Sequence, residues 1–370
     1  MRVSWAFLFL VGLDYGCELE GSPSLHSPLL GAKQSQPDAP FDPTPDLNSH
    51  WGMSVAARCL LCRRDAKCNA KCSLYCSIAI FASVTADKSL SQGQTLPPAQ
   101  PVPPLFATSK VEGTENVYVF RYQGHQSMFV VTSDGVIATD PIGLGRPQAV
   151  TTYIDEIKKI TNQPVKYVIY SHSHYDHITG GKPFKDLGAR FIAHKNAKAQ
   201  LDRLQPPNIV MPDEVVDTQR TITLGGTTLE LHFVGRNHSD NSLVMRLPTE
   251  KIVFAVDFVP IQSLHWRNMP DSWIDEWESS LKRVLAMDWD KLIPGHPGPG
   301  DRLGNKQDVE NVLQYMSDLA AAVKKAADEG KCYDDAMKEV KLPKYEAWRN
   351  YATWLPGNVE RYCLLYRSGF

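Results

Sequence analysis

Net charge is nearly absent from this 370-residue chain: 39 basic side chains stand against 41 acidic ones. That balance leaves no electrostatic footprint for nucleic acid or an anionic membrane surface, and it favours small substrates over polyanions. Long hydrophobic runs are missing too. The apolar stretches Val3 to Leu13 and Ser73 to Thr85 both fall short of the ~20 residues a spanning helix needs, so no stable membrane insertion is expected. Cysteine is scarce where the chain looks foldable, since beyond Cys76 only Cys332 and Cys363 remain. The early cluster Cys59, Cys62, Cys68, Cys72 and Cys76 contains one C-x-x-C pair but lacks the matching second half of a zinc-knuckle ligand set.

What is present at the start reads as a leader. Arg2 with Val3 to Leu13 has the form of a signal peptide, yet Asp14-Tyr15-Gly16-Cys17 is neither a small-residue cleavage site nor a lipobox. A second run has all three parts in order: Met53 and the basic residues Arg58, Arg63, Arg64, Lys67 and Lys71, then Ser73 to Thr85, then Val84-Thr85-Ala86 before Asp87. The expectation is export, to a periplasmic or secreted location, with translation beginning at Met53. From Asp87 to about Leu105 the Ser, Gln and Pro content predicts a disordered linker. Residues 1–105 are thus leader and linker, 106–304 the catalytic domain and 305–370 a helical extension. In an exported chain the two remaining cysteines can pair, which predicts a Cys332–Cys363 disulfide.

The chain is organised around Tyr170-Ser171-His172-Ser173-His174-Tyr175-Asp176-His177, which follows the apolar run Val165 to Tyr170 and precedes Gly180-Gly181. Three imidazoles and a carboxylate gathered this closely repel or go unpartnered unless a cation holds them. The apolar run predicts a buried strand, so the histidines sit on a loop at its carboxyl end, where α/β folds place ligands. There His172 and His174 can face one way and Asp176 and His177 another, as two half-sites. Imidazole with carboxylate suits zinc, and also iron or manganese. A solvated histidine-rich loop is the alternative. Against it stand three further candidates at strand ends: His238 in Gly235-Arg236-Asn237-His238, Asp257 after Ile252 to Val256, and His296 in Pro294-Gly295-His296.

The ordered set H-x-H-x-D-H, lone His, strand-ending Asp and final Gly-His resembles the metallo-β-lactamase-fold hydrolases over roughly Thr108 to Gly300. The resemblance implies an α/β, four-layer αβ/βα sandwich with the metals at one edge. It implies that His172, His174 and His238 bind one ion, that Asp176, His177 and His296 bind the second, and that Asp257 bridges. Asp140 would support the metal loop from behind, or serve as a turn residue. The remaining histidines, His125, His194, His232 and His265, read as packed or surface residues, with His125 and His265 at the pocket mouth as the alternative.

Periodicity predicts strands at Asn116 to Tyr122, Ser127 to Thr132, Gly135 to Thr139 and Arg190 to Ala193, a hairpin over Thr221 to Val234, and further strands at Ser242 to Leu247, Lys251 to Val256 and Lys291 to Ile293. Helices are expected at Arg146 to Ile160, His194 to Leu204, Trp273 to Met287, Gln307 to Glu329, Asp334 to Val340 and Lys344 to Thr353, with a separate last segment after Pro356-Gly357. Two strand-and-helix halves point to α/β layering without help from the resemblance. Trp348, Tyr351, Trp354 and Tyr362 are read as core packing.

Such a site predicts a dinuclear zinc hydrolase. Bridging hydroxide would attack a carbonyl ester, lactone, thioester or β-lactam amide, with Asp176 orienting it or taking its proton, Asp257 joining the ions, and Tyr175 and Asn237 as substrate contacts. The site lacks the Cys ligand and Arg of one β-lactamase subclass, His177 and Asp257 standing there instead. A mononuclear-iron, persulfide-dioxygenase-like oxidoreductase, a phosphodiesterase and a non-catalytic metal-binding protein are the other readings.

Overall fold

Apolar residues alternate along the strands of this chain, and the alternation sorts them into three separate cores. The computed structural model describes residues 103–369; the leader readings, Met53, the early cysteines and nearly all of the linker lie outside the described residues. One sheet has seven strands whose spatial order follows the sequence: β1 (Phe106–Lys110), β2 (Val117–Tyr122), β3 (His125–Thr132), β4 (Gly135–Thr139), β5 (Val165–Ile169), β6 (Arg190–His194) and β7 (Glu214–Val216). Strands β1 to β4 pair antiparallel, and β4 to β7 pair parallel. A second sheet runs β12-β11-β10-β9-β8, from β8 (Gln219–Leu224), β9 (Thr227–Phe233), β10 (Leu243–Leu247), β11 (Ile252–Phe254) and β12 (Lys291–Ile293). Only its β11–β12 pair is parallel.

Side chains of successive strand residues point to opposite faces. In β3, Met128 and Val130 join the core between the sheets while Phe129 joins the outer one; in β11, Ile252 and Phe254 point inward while Val253 points out. Helices α1 (Ala149–Ile160) and α4 (Lys195–Leu204), with the short α3 (Lys182–Asp186), cover the outer face of the first sheet through Tyr153, Ile157, Phe184 and Leu201. The single-turn α2 (Tyr175–Ile178) lies in the histidine stretch. Helices α5 (Ile274–Ala286), α6 (Lys306–Asp328), α7 (Asp334–Glu339) and α8 (Tyr351–Ser368) cover the second sheet, with Trp277, Leu281, Tyr315, Met316 and Val359 packed against Val244, Val253 and Leu292. The result is the four-layer αβ/βα sandwich with C-terminal helices. Among the expected packing aromatics, Tyr362 is buried in this last core, and Trp348, Tyr351 and Trp354 lean on it half-buried.

Four expectations change. The chain from Lys344 to Thr353 is not one helix: a 3-10 turn at Pro343–Tyr345 stops, and the backbone of Arg349 instead bonds to Gln262 and Leu264. There is no break at Pro356-Gly357, because α8 runs through both. Strands β1 and β7 were not expected, being an edge strand beside prolines and a three-residue strand. Finally, Cys332 and Cys363 are free thiols rather than a disulfide. The buried Cys363 accepts the Tyr333 N–H at 3.3 Å, and burial together with the neighbouring Cys332 pushes its thiol pKa up to about 11.

Candidate metal centre

The carboxyl ends of β4, β5, β11 and β12 open on one edge of the sandwich, and the β2–β3 hairpin turns at the same edge. Beyond β5 the chain bends through His172, His174 lies in extended backbone, and the single turn of α2 then swings Asp176 and His177 to the other side. His238 arrives on the loop after β9, Asp257 after β11 and His296 after β12. Each expected ligand therefore reaches this edge. They form two groups able to hold a metal ion, His172, His174, His238 and Asp257 in one and His125, Asp176, His177 and His296 in the other.

Asp257 sits between the groups. Its Oδ2 lies 3.0 Å from His177 Nε2, 3.6 Å from His238 Nε2 and 3.7 Å from His172 Nε2, while Oδ1 lies 3.3 Å from His296 Nε2. Its backbone is left-handed, φ 61°, a strained conformation that aims the carboxylate across the strand end. Gly295 lets the next loop approach: a Cβ there would stand 2.6 Å from Asp257 Oδ1 and 2.4 Å from Val256.

Three ring nitrogens facing away from the centre are hydrogen-bonded, and a fourth, His177 Nδ1, faces Asp140 without a hydrogen bond. His174 Nε2 donates to Asp271 Oδ2 at 2.7 Å, which leaves its Nδ1 lone pair 3.0 Å from His238 Nε2. His296 Nδ1 donates to the Gly124 carbonyl at 2.7 Å, His172 Nδ1 meets Ser171 Oγ at 3.0 Å, and His177 Nδ1 lies 3.5 Å from Asp140 Oδ2. Asp140 Oδ1 accepts the Ser171 N–H at 2.7 Å, tying the end of β4 to the histidine loop. Arg146 holds the turn itself, donating to the Asp176 carbonyl. Outward anchoring of this kind fixes tautomers and turns lone pairs inward, as metal-ligating histidines require.

Two buried donor atoms at the centre, His172 Nε2 and Asp257 Oδ1, have no hydrogen-bond partner. Leaving such atoms unpaired is costly, and a cation is the partner this donor chemistry fits. Charges tell the same story. Burial, reinforced by His174 and His177, pushes His172 well below its ordinary pKa, and burial with His174 lowers His238 to about 4. Burial opposes ionisation of Asp257, yet His177 and His296 hold its carboxyl far below the usual range.

Of the two residues expected to touch substrate, Tyr175 is exposed on α2, whereas Asn237 is fully buried and donates to the Gly235 carbonyl of its own turn. His265 is buried rather than at a pocket mouth, with both ring nitrogens unpartnered against Trp277. His194 caps α4 and His232 pairs with Glu230. Sequence reasoning placed His125 at the pocket mouth at most and missed Asp271 and Arg146. Only His125 gave a signal, as a histidine beside the hairpin turn at Gly124.

Residues 124–296 match the family model of the metallo-beta-lactamase superfamily. Among curated relatives, the alpha subunit of a 2,4-dinitroanisole O-demethylase from Nocardioides sp. is 24% identical over 52% of this chain and 58% of its own length. A metallo-beta-lactamase type 2 from Bacillus cereus is 26% identical over 51% of this chain and 76% of its own length. The chain thus spans just over half the length of the first of these. A sec-alkyl sulfatase double mutant shares the fold at a TM-score of 0.57, with 14% identity over 72% of this chain and 50% of that one. Among the described residues no helix is long and apolar enough to cross a membrane.

Proposed function

We propose that this protein is a dinuclear, zinc-dependent hydrolase of a small carbonyl ester, lactone, thioester or β-lactam amide, acting in the periplasm or outside the cell. The observation that carries this reading is the meeting of two four-residue donor groups at Asp257. His172, His174 and His238 would hold one ion, Asp176, His177 and His296 the second, and Asp257 would join them. Bound ions of this class supply hydroxide at neutral pH and polarise the bond under attack. The chain's own part is positional. Asp176, on the wall of the site with about a third of its side chain exposed, can accept a proton from the attacking water and return it to the leaving group. Tyr175 can reach substrate from the same turn. No serine or cysteine nucleophile is needed.

The test is metal analysis combined with a substrate panel on metal-reconstituted enzyme. Two zinc per chain and chelator-sensitive turnover of a lactone, thioester or β-lactam support the reading. One iron with oxygen consumption would replace it by an oxygenase. The panel includes phosphodiesters and aryl sulfates, and also 2,4-dinitroanisole, because one relative is named for its O-demethylation. Cell fractionation with amino-terminal sequencing of the mature chain tests export; full-length protein retained in the cytoplasm would refute it.

A further inference from the structure

We propose that His125 is a fourth protein ligand of the second half-site, so that both half-sites carry the same donor set of three imidazoles and one carboxylate. This deepens the metallohydrolase reading and rests on it.

His125 opens β3 and pairs with Tyr122 across a turn in which Gln123 has φ 52°. Its Nε2 lies 2.9 Å from Asp176 Oδ2, and its ring stands 4.3 Å from that of His296 and 5.4 Å from that of His177. One donor atom from each of these four residues falls within 4.8 Å of all the others. The side chain is mostly buried and its Nδ1 has no partner, so Nε2 is the nitrogen the site engages.

The backbone on both sides of His125 is fastened to the segment that carries His296. Gly124 accepts the His296 Nδ1 proton, the Gln126 N–H donates to the Gly295 carbonyl at 2.8 Å, and Gln126 Nε2 donates to the Pro294 carbonyl at 2.7 Å. A histidine serving only to pack would not need its hairpin locked to a ligand loop by three hydrogen bonds. The consequence is chemical: with His125 the second half-site has four side-chain donors of its own, and Asp257 is free to bridge rather than to complete one coordination sphere.

The test uses the full chain, stripped of metal and retitrated with zinc and with cobalt(II). Wild type is expected to retain two ions after dialysis. His125→Ala should retain one ion tightly and bind the other about tenfold or more weakly, with a cobalt absorption spectrum altered for one ion only and unchanged thermal unfolding of the metal-free protein. His125→Gln can still donate to Asp176 but ligates poorly, so it should behave as His125→Ala does; it also carries the test if the alanine variant fails to fold. Two ions held by His125→Ala at wild-type affinity would overturn the proposal, as would full recovery of affinity and spectrum in His125→Gln. A wild-type protein that binds no metal would instead sink the hydrolase reading itself.

Discussion

At Asp257 one carboxylate faces four imidazoles, and no other residue of the centre is shared in this way. Asp257→Ala, and likewise His172→Ala, is therefore expected to abolish turnover and lower bound metal below two per chain while far-UV circular dichroism stays near wild type. A variant with full rate and full metal would contradict the assignment. Asp271 acts one step further out. It holds His174 by the nitrogen opposite its inward lone pair, and burial notwithstanding, the Asp271 hydrogen bond raises the basicity of that imidazole. Asp271→Ala is expected to weaken zinc at the first half-site by about 10- to 100-fold, read by competition with a chromophoric chelator. The convergence of the expected residues was legible because histidine and aspartate in a fixed order at strand ends have few other uses. Asp271 was not, since an acidic residue in a Met269-Pro270-Asp271 loop looks like any solvated turn.

Among elements, the strands were the most readable. Val136, Ile137 and Ala138 are buried whichever way they point, so the run from Val136 to Ala138 had to be apolar. Helix α8 was misread because Pro356 lacks the N–H that a helix interior uses and Gly357 is a poor helix former. Tertiary contacts override both: a Cβ at residue 357 would stand 2.8 Å from the Arg267 backbone, and Asn358 donates to the carbonyls of His265 and Arg267. Local chemistry predicted a break, and close packing on a distant loop removed it. Packing decides at Gly295 also. Gly295→Ala would drive a methyl into Val256, Asp257 and the His177 ring, at an expected cost of about 1–3 kcal/mol together with loss of bound metal. Thermal unfolding with parallel metal analysis checks it; a variant with unchanged stability and two ions would show that the strand ends have slack.

Over the whole molecule the C-terminal helices are part of the core and not an ornament. Val309, Val312, Met316 and Leu319 of α6 pack in the same cluster as Val244, Val253 and Leu292 of the second sheet. Deleting residues 305–370 would bare that sheet face, and the truncated chain is expected to aggregate; a soluble product with native near-ultraviolet dichroism would refute this. Bound metal stabilises the native state by mass action, about 4 kcal/mol per site at a thousandfold excess over the dissociation constant. Chelation should accordingly lower the midpoint of thermal unfolding and zinc should restore it, as calorimetry can measure. The layering was legible because each sheet writes two cores into alternate residues; the way the helices close the second face was not, since no local pattern says which surface a helix will meet.

The hydrogen bond from His296 to Gly124 joins residues 172 positions apart. A ribosome must therefore deliver almost the entire superfamily domain before the two ends can clasp. On the reading proposed above, a nascent fragment ending before residue 296 would lack one donor of the second group, and a complete cage would have to wait until that residue is made.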